Sequence, residues 1–214
     1  TGRRLSQIAE ENLDPSNAVA VWLGPGHVQE FYRGIPNCMV IDSRRENVKR
    51  RLVQSFSSDL IRFYYGDDLI GNEVGAAAKN VVGIAAGFLD GKGLSSLKGA
   101  LMSRGTREVA RLIKAMGGSQ LSAYGLCHLG DYEATVFSRY SHNRQFGESF
   151  IRGETYTDLA EGYYTVEALV LLGQRYGVEL PICQAVHRVL YCGADPMQEL
   201  RALLDRNLTR EFGE

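Results

Sequence analysis

GNEVGAAAKNVVGIAAG, residues 71–87, is the least polar stretch of the chain, and its reading decides the fold. Small and apolar residues follow one another with no gap long enough for a loop. The stretch therefore predicts a closely packed, largely buried helix. Its only charged residues are Glu73 and Lys79. An ammonium inside such a helix must find a partner or give up its proton. Enzymes use that situation to make a lysine a general acid or base near neutral pH. The commoner case is a lysine that snorkels to solvent from the edge of a core helix. Spacing alone leaves both readings open.

Upstream of this helix, strand-like and helix-like runs alternate. Arg4 to Leu13 reads as helix, AVAVWLG (18–24) as a short strand, and Val28 to Arg33 as a helical turn or two. CMVID (38–42) and RFYYG (62–66) read as further strands. Between them, residues 46–56 have helical spacing, with Val48, Leu52, Val53 and Phe56 apolar. This alternation predicts a parallel or mixed sheet in an α/β unit. Downstream, strand signals nearly vanish. Helices are expected at 71–89, 96–116, 122–128, 141–150, 165–176, 181–192 and 195–206. Gly177 suits a C-terminal cap and Pro181 opens the next helix. Asp195-Pro196 reads as an N-cap and first helical residue, with Gln198 at the capping-box position. The expected organisation is an α/β portion over 1–70 and an all-helical domain over 71–214. The α/β portion has three strands and no GxGxxG after any of them. Either it is not a nucleotide-binding domain, or that domain's first half lies outside the chain.

Bulk properties narrow the function classes. A net charge of −1 over 214 residues gives no electrostatic case for nucleic acid or an anionic membrane. No run approaches the roughly 18 apolar residues of a membrane span. The opening TGRRLSQIAEENL is not a signal peptide. Cys38, Cys127, Cys183 and Cys192 are scattered without a CxxC pair, which points to free thiols in a reducing cytoplasm. His27, Cys127, His128 and His142 lack recognised ligand spacing, so no metal site is expected.

Three short segments could carry chemistry. LGPGH (23–27) lets backbone approach a ligand closely, although a tight turn is the commoner meaning. GLCHLGDYEAT (125–135) places Asp131 among glycines, as a helix N-cap or as a carboxylate partner for Lys79. SHNRQFG (141–147) gathers Ser, His, Asn and Arg at a helix start, a plausible phosphate site or simply a capped, solvated helix end.

Taken in order, LGPGHVQEF, AAAKNVVGIAAGFLDG, GLCHLGD, SHNRQFG, AEGYYT and GVELPICQAVHRVLYCGADP run along nearly the whole chain. In these motifs it resembles the C-terminal two-thirds of the bacterial NAD(P)-dependent glycerol-3-phosphate dehydrogenases. The resemblance implies the C-terminal part of a Rossmann domain followed by an all-helical domain of the 6-phosphogluconate dehydrogenase C-terminal type. It implies reversible hydride transfer, with NAD or NADP as cofactor, between dihydroxyacetone phosphate and sn-glycerol 3-phosphate, a phospholipid precursor. It assigns Lys79 as the proton donor or acceptor at the C2 oxygen. Asn80 and Asp131 match polar positions beside that centre, with Asp131 contacting substrate and positioning Lys79. Ser141, His142 and Asn143 match a substrate and phosphate segment, Thr135 another polar position, and Gly24 and Gly26 the substrate-side turn. Val28, His142, Leu159 and Glu161 match cofactor-contacting positions. A homodimer and a cytoplasmic location are also expected.

The departures from the family pattern qualify these expectations. Gly26 stands where relatives often carry Ser or Thr, which removes a hydroxyl contact and keeps the backbone N–H. His142 stands where Arg is usual, and an imidazole cannot grip phosphate with a bidentate fork. Weaker, more pH-sensitive phosphate binding is expected, with Arg139 or Arg144 supplying charge. Cys127-His128 replaces small residues, and the sequence gives no functional account of it. The strand and GxGxxG turn that open the relatives are not in these 214 residues, so by themselves they should bind cofactor poorly and turn over slowly or not at all. The alternative is a non-catalytic helical module that binds a phosphometabolite or dimerises. The β-hydroxyacid and 6-phosphogluconate dehydrogenases share the Lys-Asn helix, but the SHNR segment and the GVELPI tail argue against them.

Overall fold

The computed structural model describes residues 2–207, 210 and 211. Helix α1 (Leu5–Asn12) comes first. Strands β1 (Ala20–Leu23), β2 (Asn37–Ser43) and β3 (Ile61–Tyr65) then form one sheet in that order. β1 runs antiparallel to β2, and β2 parallel to β3, so the sheet is mixed. The short α2 (Val28–Phe31) joins β1 to β2, and α3 (Glu46–Phe56) makes the crossover from β2 to β3. Ile41, Val53 and Phe63 form the small core between sheet and α3. Trp22 meets Phe63 edge-on at 4.6 Å.

Helix α4 (Leu69–Gly91) is the axis of everything that follows. Asp68 caps it, accepting from Gly71 N at 3.0 Å, and also accepts from Ser119 N and Ser122 Oγ. Asp42 of β2 accepts from Asn72 Nδ2 at 2.8 Å, which ties the sheet to the first turn of α4. Glu73, one of the two charges in the apolar stretch, is consumed structurally. It pairs with Arg4 at 2.7 Å and accepts from Ser6 N, docking α1.

The small residues of α4 let four helices approach it: α5 (Lys98–Ala115), α6 (His142–Arg152), α7 (Glu161–Tyr176) and α8 (Pro181–Cys192). A Cβ on Gly87 would lie 2.1 Å from Arg144 O, so the backbones of α4 and α6 are in contact. Ala78, Val81 and Ile84 share one core with Leu112, Ile113 and Val166. By the area rule, burying each of the larger of these side chains contributes roughly 1.5–3 kcal/mol. Gly177 adopts the left-handed conformation after α7, Pro181 sits in the first turn of α8, and Asp195 accepts from Gln198 N to start α9 (Pro196–Leu204).

Two expectations are corrected. The helix expected at 122–128 is a 3-10 turn over Gln120–Tyr124, and Gly125 leaves it with extended backbone. The residues beyond form a second 3-10 turn (Leu129–Asp131) and a π-helical turn (Glu133–Phe137). Glycines at 125 and 130 remove the continuity an α-helix needs. α7 also starts four residues earlier than expected, at Glu161 rather than 165, where Asn143 Oδ1 accepts from Gly162 N.

Candidate active site

Lys79 projects from the middle of α4, with its side chain 21% exposed. Its Nζ forms an ion pair with Asp131 Oδ2. Asp131 ends the 3-10 turn and is almost completely buried. It therefore serves as the partner of Lys79, and no helix is capped by it. Burial raises the Asp131 carboxyl pKa, against the opposing pull of the Lys79 ammonium and, more weakly, of His27. Lys79 offers three donors and has this one acceptor among the described residues.

The pair is held from behind by a buried relay. His128 Nδ1 donates to Gly75 O at 2.9 Å, one turn before Lys79 on α4. Because a carbonyl only accepts, the Nδ1 proton is fixed and Nε2 accepts from Tyr132 O–H at 2.8 Å. Tyr132 and His128 are fully buried, and burial lowers the imidazole pKa to about 4. His128 precedes Asp131 by three residues and Tyr132 follows it, so the relay locks the Asp131 turn onto α4. This is the role of the His128 that sequence reasoning left unexplained. Its signal was a histidine inside an apolar, glycine-rich segment. Cys127 is buried beside it with its thiol pKa pushed up to about 12, and is inert as a nucleophile.

One turn beyond Lys79, a Cβ on Gly83 would meet Thr135 Cγ2 at 2.9 Å and Asn143 Cβ at 3.2 Å. Thr135 and Asn143 thus sit against the same face of α4 as Lys79. Asn143 is buried and bonded at both ends of its amide: Oδ1 accepts from Gly162 N, and Nδ2 donates to Glu161 Oε2 at 3.2 Å. Asn80 adjoins this knot, since its carbonyl lies 2.7 Å from where a Gly162 Cβ would stand. Ser141 caps α6, accepting from Arg144 N. The structure therefore gathers Lys79, Asn80, Asp131, Thr135, Asn143 and Glu161 around this part of α4, with Ser141 two residues before Asn143 at the start of α6.

The other expected residues stand differently. Val28 and Leu159 are each 63% exposed. His142 is exposed and bonds Tyr156 OH at 2.8 Å, with Asp158 3.9 Å away. Arg144 is not a free phosphate ligand: it pairs with Asp90 at 2.7 Å and Glu148 at 2.9 Å and donates to Ser138 O. Arg139 is the exposed alternative, its guanidinium lying 4.9 Å from the Tyr140 ring centroid. Gly24 and Gly26 both have positive φ, +136° and +141°. A Cβ on Gly26 would lie 2.6 Å from Phe31 Cζ, so serine does not fit there unless Phe31 moves. The glycine at 26 and the phenylalanine at 31 go together.

A mixed sheet leading into helices packed round a small-residue Lys-Asn helix defines a two-part, dehydrogenase-like chain with a lysine-carboxylate site. Residues 68–201 match the family model described as NAD-dependent glycerol-3-phosphate dehydrogenase C-terminus. A glycerol-3-phosphate dehydrogenase [NAD(P)+] of Thermus thermophilus is 42% identical over 194 residues, covering 88% of this chain and 60% of that protein. Its counterpart in Thermotoga sp. is 38% identical over 220 residues, covering 99% and 67%. The crystal structure of glycerol-3-phosphate dehydrogenase from Coxiella burnetii superimposes with a TM-score of 0.89 at 31% identity, over 96% of this chain and 65% of that one. The chain belongs to the NAD-dependent glycerol-3-phosphate dehydrogenase family. It spans about 60–67% of the length of these relatives.

Proposed function

We propose that the chain is the substrate-binding and proton-transfer part of an NAD(P)-dependent sn-glycerol-3-phosphate dehydrogenase, interconverting dihydroxyacetone phosphate and sn-glycerol 3-phosphate. The observation that carries this is the incompletely paired Lys79 ammonium, anchored by a buried carboxylate yet open on one side. A lysine kept only for stability would be saturated. In ketone reduction Lys79 Nζ polarises the C2 carbonyl and delivers a proton to its oxygen; in alcohol oxidation it takes that proton back. Asp131 fixes the ammonium, and the His128–Tyr132 relay fixes Asp131. Thr135 lies against this part of α4, and the start of α6 at Ser141, with Arg139 two residues before it, is the phosphate end.

NAD or NADP supplies the hydride acceptor or donor when bound. The exposed apolar side chains of Val28 and Leu159 suit the uncharged face of a nicotinamide ring, with His142 and Glu161 as the polar contacts of the same cofactor. They do not suit a pyrophosphate, for which a GxGxxG turn is the usual cradle. In this reading residues 1–70 belong to the cofactor domain and 71–214 to the substrate domain. No helix among the described residues is long and apolar enough to cross a membrane. The free cysteines support a cytoplasmic location. A homodimer is part of this proposal, and analytical ultracentrifugation checks it.

The test is calorimetric titration with sn-glycerol 3-phosphate, with and without NAD, with Lys79→Met alongside. Binding by wild type that the substitution abolishes supports the reading. Equal binding by both proteins rejects it in favour of a non-catalytic module.

A further inference from the structure

Among the described residues, one buried side-chain polar atom has no partner: His27 Nε2. Buried nitrogens are nearly always paired, so this one needs an explanation. His27 is the N-cap residue of α2, and its carbonyl accepts from Glu30 N and Phe31 N, but its side chain makes no capping bond. The imidazole instead packs against Tyr140, with ring centroids 5.6 Å apart and planes at 64°. Tyr140 immediately precedes Ser141, the cap of α6. On another side His27 is close enough to Asp131 to act on its carboxyl electrostatically. The ring therefore packs against the residue that precedes Ser141 and lies within electrostatic reach of Asp131.

Packing does not explain the nitrogen. A phenyl ring would fill the same slot against Tyr140 without burying an unpaired polar atom. The glycine-dependent turn before it, where Phe31 fills the space a Gly26 Cβ would need, fixes where His27 leaves the backbone. We infer that His27 is a substrate contact, its Nε2–H donating to an oxygen of the phosphorylated three-carbon substrate bound between Lys79 and Ser141. This rests on the functional reading above and adds a residue to it. The turn then contributes a side chain as well as backbone, at the position next to the one where Gly26 offers no hydroxyl.

The experiment is calorimetric titration of the wild-type chain, His27→Phe and His27→Gln with sn-glycerol 3-phosphate, beside their melting curves. His27→Phe should bind at least about tenfold more weakly, the equivalent of one hydrogen bond, while melting at the same temperature or higher. His27→Gln, which keeps an N–H donor, should recover part of the affinity. Weak binding with undiminished stability is an outcome a packing role does not give. His27→Phe binding within twofold of wild type overturns the inference and leaves the functional reading intact. No uptake by wild type overturns both. Should His27→Phe fail to fold, the ¹⁵N resonance of His27 Nε2 in the wild-type chain decides: it moves on addition of sn-glycerol 3-phosphate, or the inference is wrong.

Discussion

Of the cation-carboxylate groups along α4, the one at its C-terminal end and the one in mid-helix differ most in how fully they are satisfied. At the C-terminal end, Asp90 accepts from Lys98 Nζ at 2.5 Å, Ser95 Oγ at 2.7 Å and Arg144 at 2.7 Å. Lys98 also donates to Val136 O at 3.1 Å and lies 5.3 Å from the Phe137 ring centroid. Both side chains are about 90% buried. In mid-helix, Lys79 has Asp131 and an open side. In the first cluster Lys98 has two oxygen acceptors and an aromatic face, and the cluster joins α4, α5 and α6. The second has spare donors where a ligand can use them.

The comparison can be broken most directly at Lys79. Lys79→Ala should lower turnover by about 10²–10⁴-fold, the usual contribution of a positioned acid-base group. The substitution leaves Asp131 buried without its cation, which raises its carboxyl pKa further. The sign follows: with its pKa raised above the unfolded value of 3.8, Asp131 adds stability below that pH and loses it as pH rises. Lys79→Ala should therefore melt progressively lower with rising pH than wild type does, as thermal scans at several pH values would show. Asp90→Ala should do the reverse. It strands the Lys98 ammonium in the core, costs about 3–5 kcal/mol in a denaturant titration, and affects turnover only through lost fold.

Smaller effects sharpen the picture. His128 is neutral in the fold with its pKa depressed to about 4, so its contribution is present above about pH 6.5 and is lost as pH falls toward 4. The change is about 3 kcal/mol at most. His128→Gln should flatten that part of the stability-pH profile, and a profile unchanged by the substitution would remove the relay from the account. Smallest is His142→Arg, which should tighten sn-glycerol 3-phosphate a few-fold by supplying a bidentate fork. No change in affinity would place His142 away from the phosphate.

The sequence showed most of the architecture because local signals agreed with the packing. The period of residues 71–87, Asp195 before Pro196, and Gly177 before Pro181 all describe structure made within a few residues. Residues 120–137 were read least well. There the chain passes through 3-10 and π turns held by contacts far away in sequence, such as His128 on Gly75, which no local pattern encodes. The site was legible in the same proportion. Lys79 stood out as a charge in an apolar helix, and Asp131 was open as its partner. Arg144 looked available beside His142 because nothing in SHNRQFG shows that Asp90, 54 residues away, claims it. His27 passed as part of a turn, since an unpaired nitrogen is visible only once the surrounding chain is in place.

Calorimetric titration with sn-glycerol 3-phosphate of wild type, Lys79→Ala and Lys98→Ala, each shown folded by circular dichroism, tests the central contrast most directly. Lys98→Ala leaves Asp90 paired with Arg144 and Ser95, so a folded protein is expected. The account predicts that Lys98→Ala binds like wild type, whereas Lys79→Ala loses binding. Equal losses in both variants, or binding that survives Lys79→Ala, would contradict it.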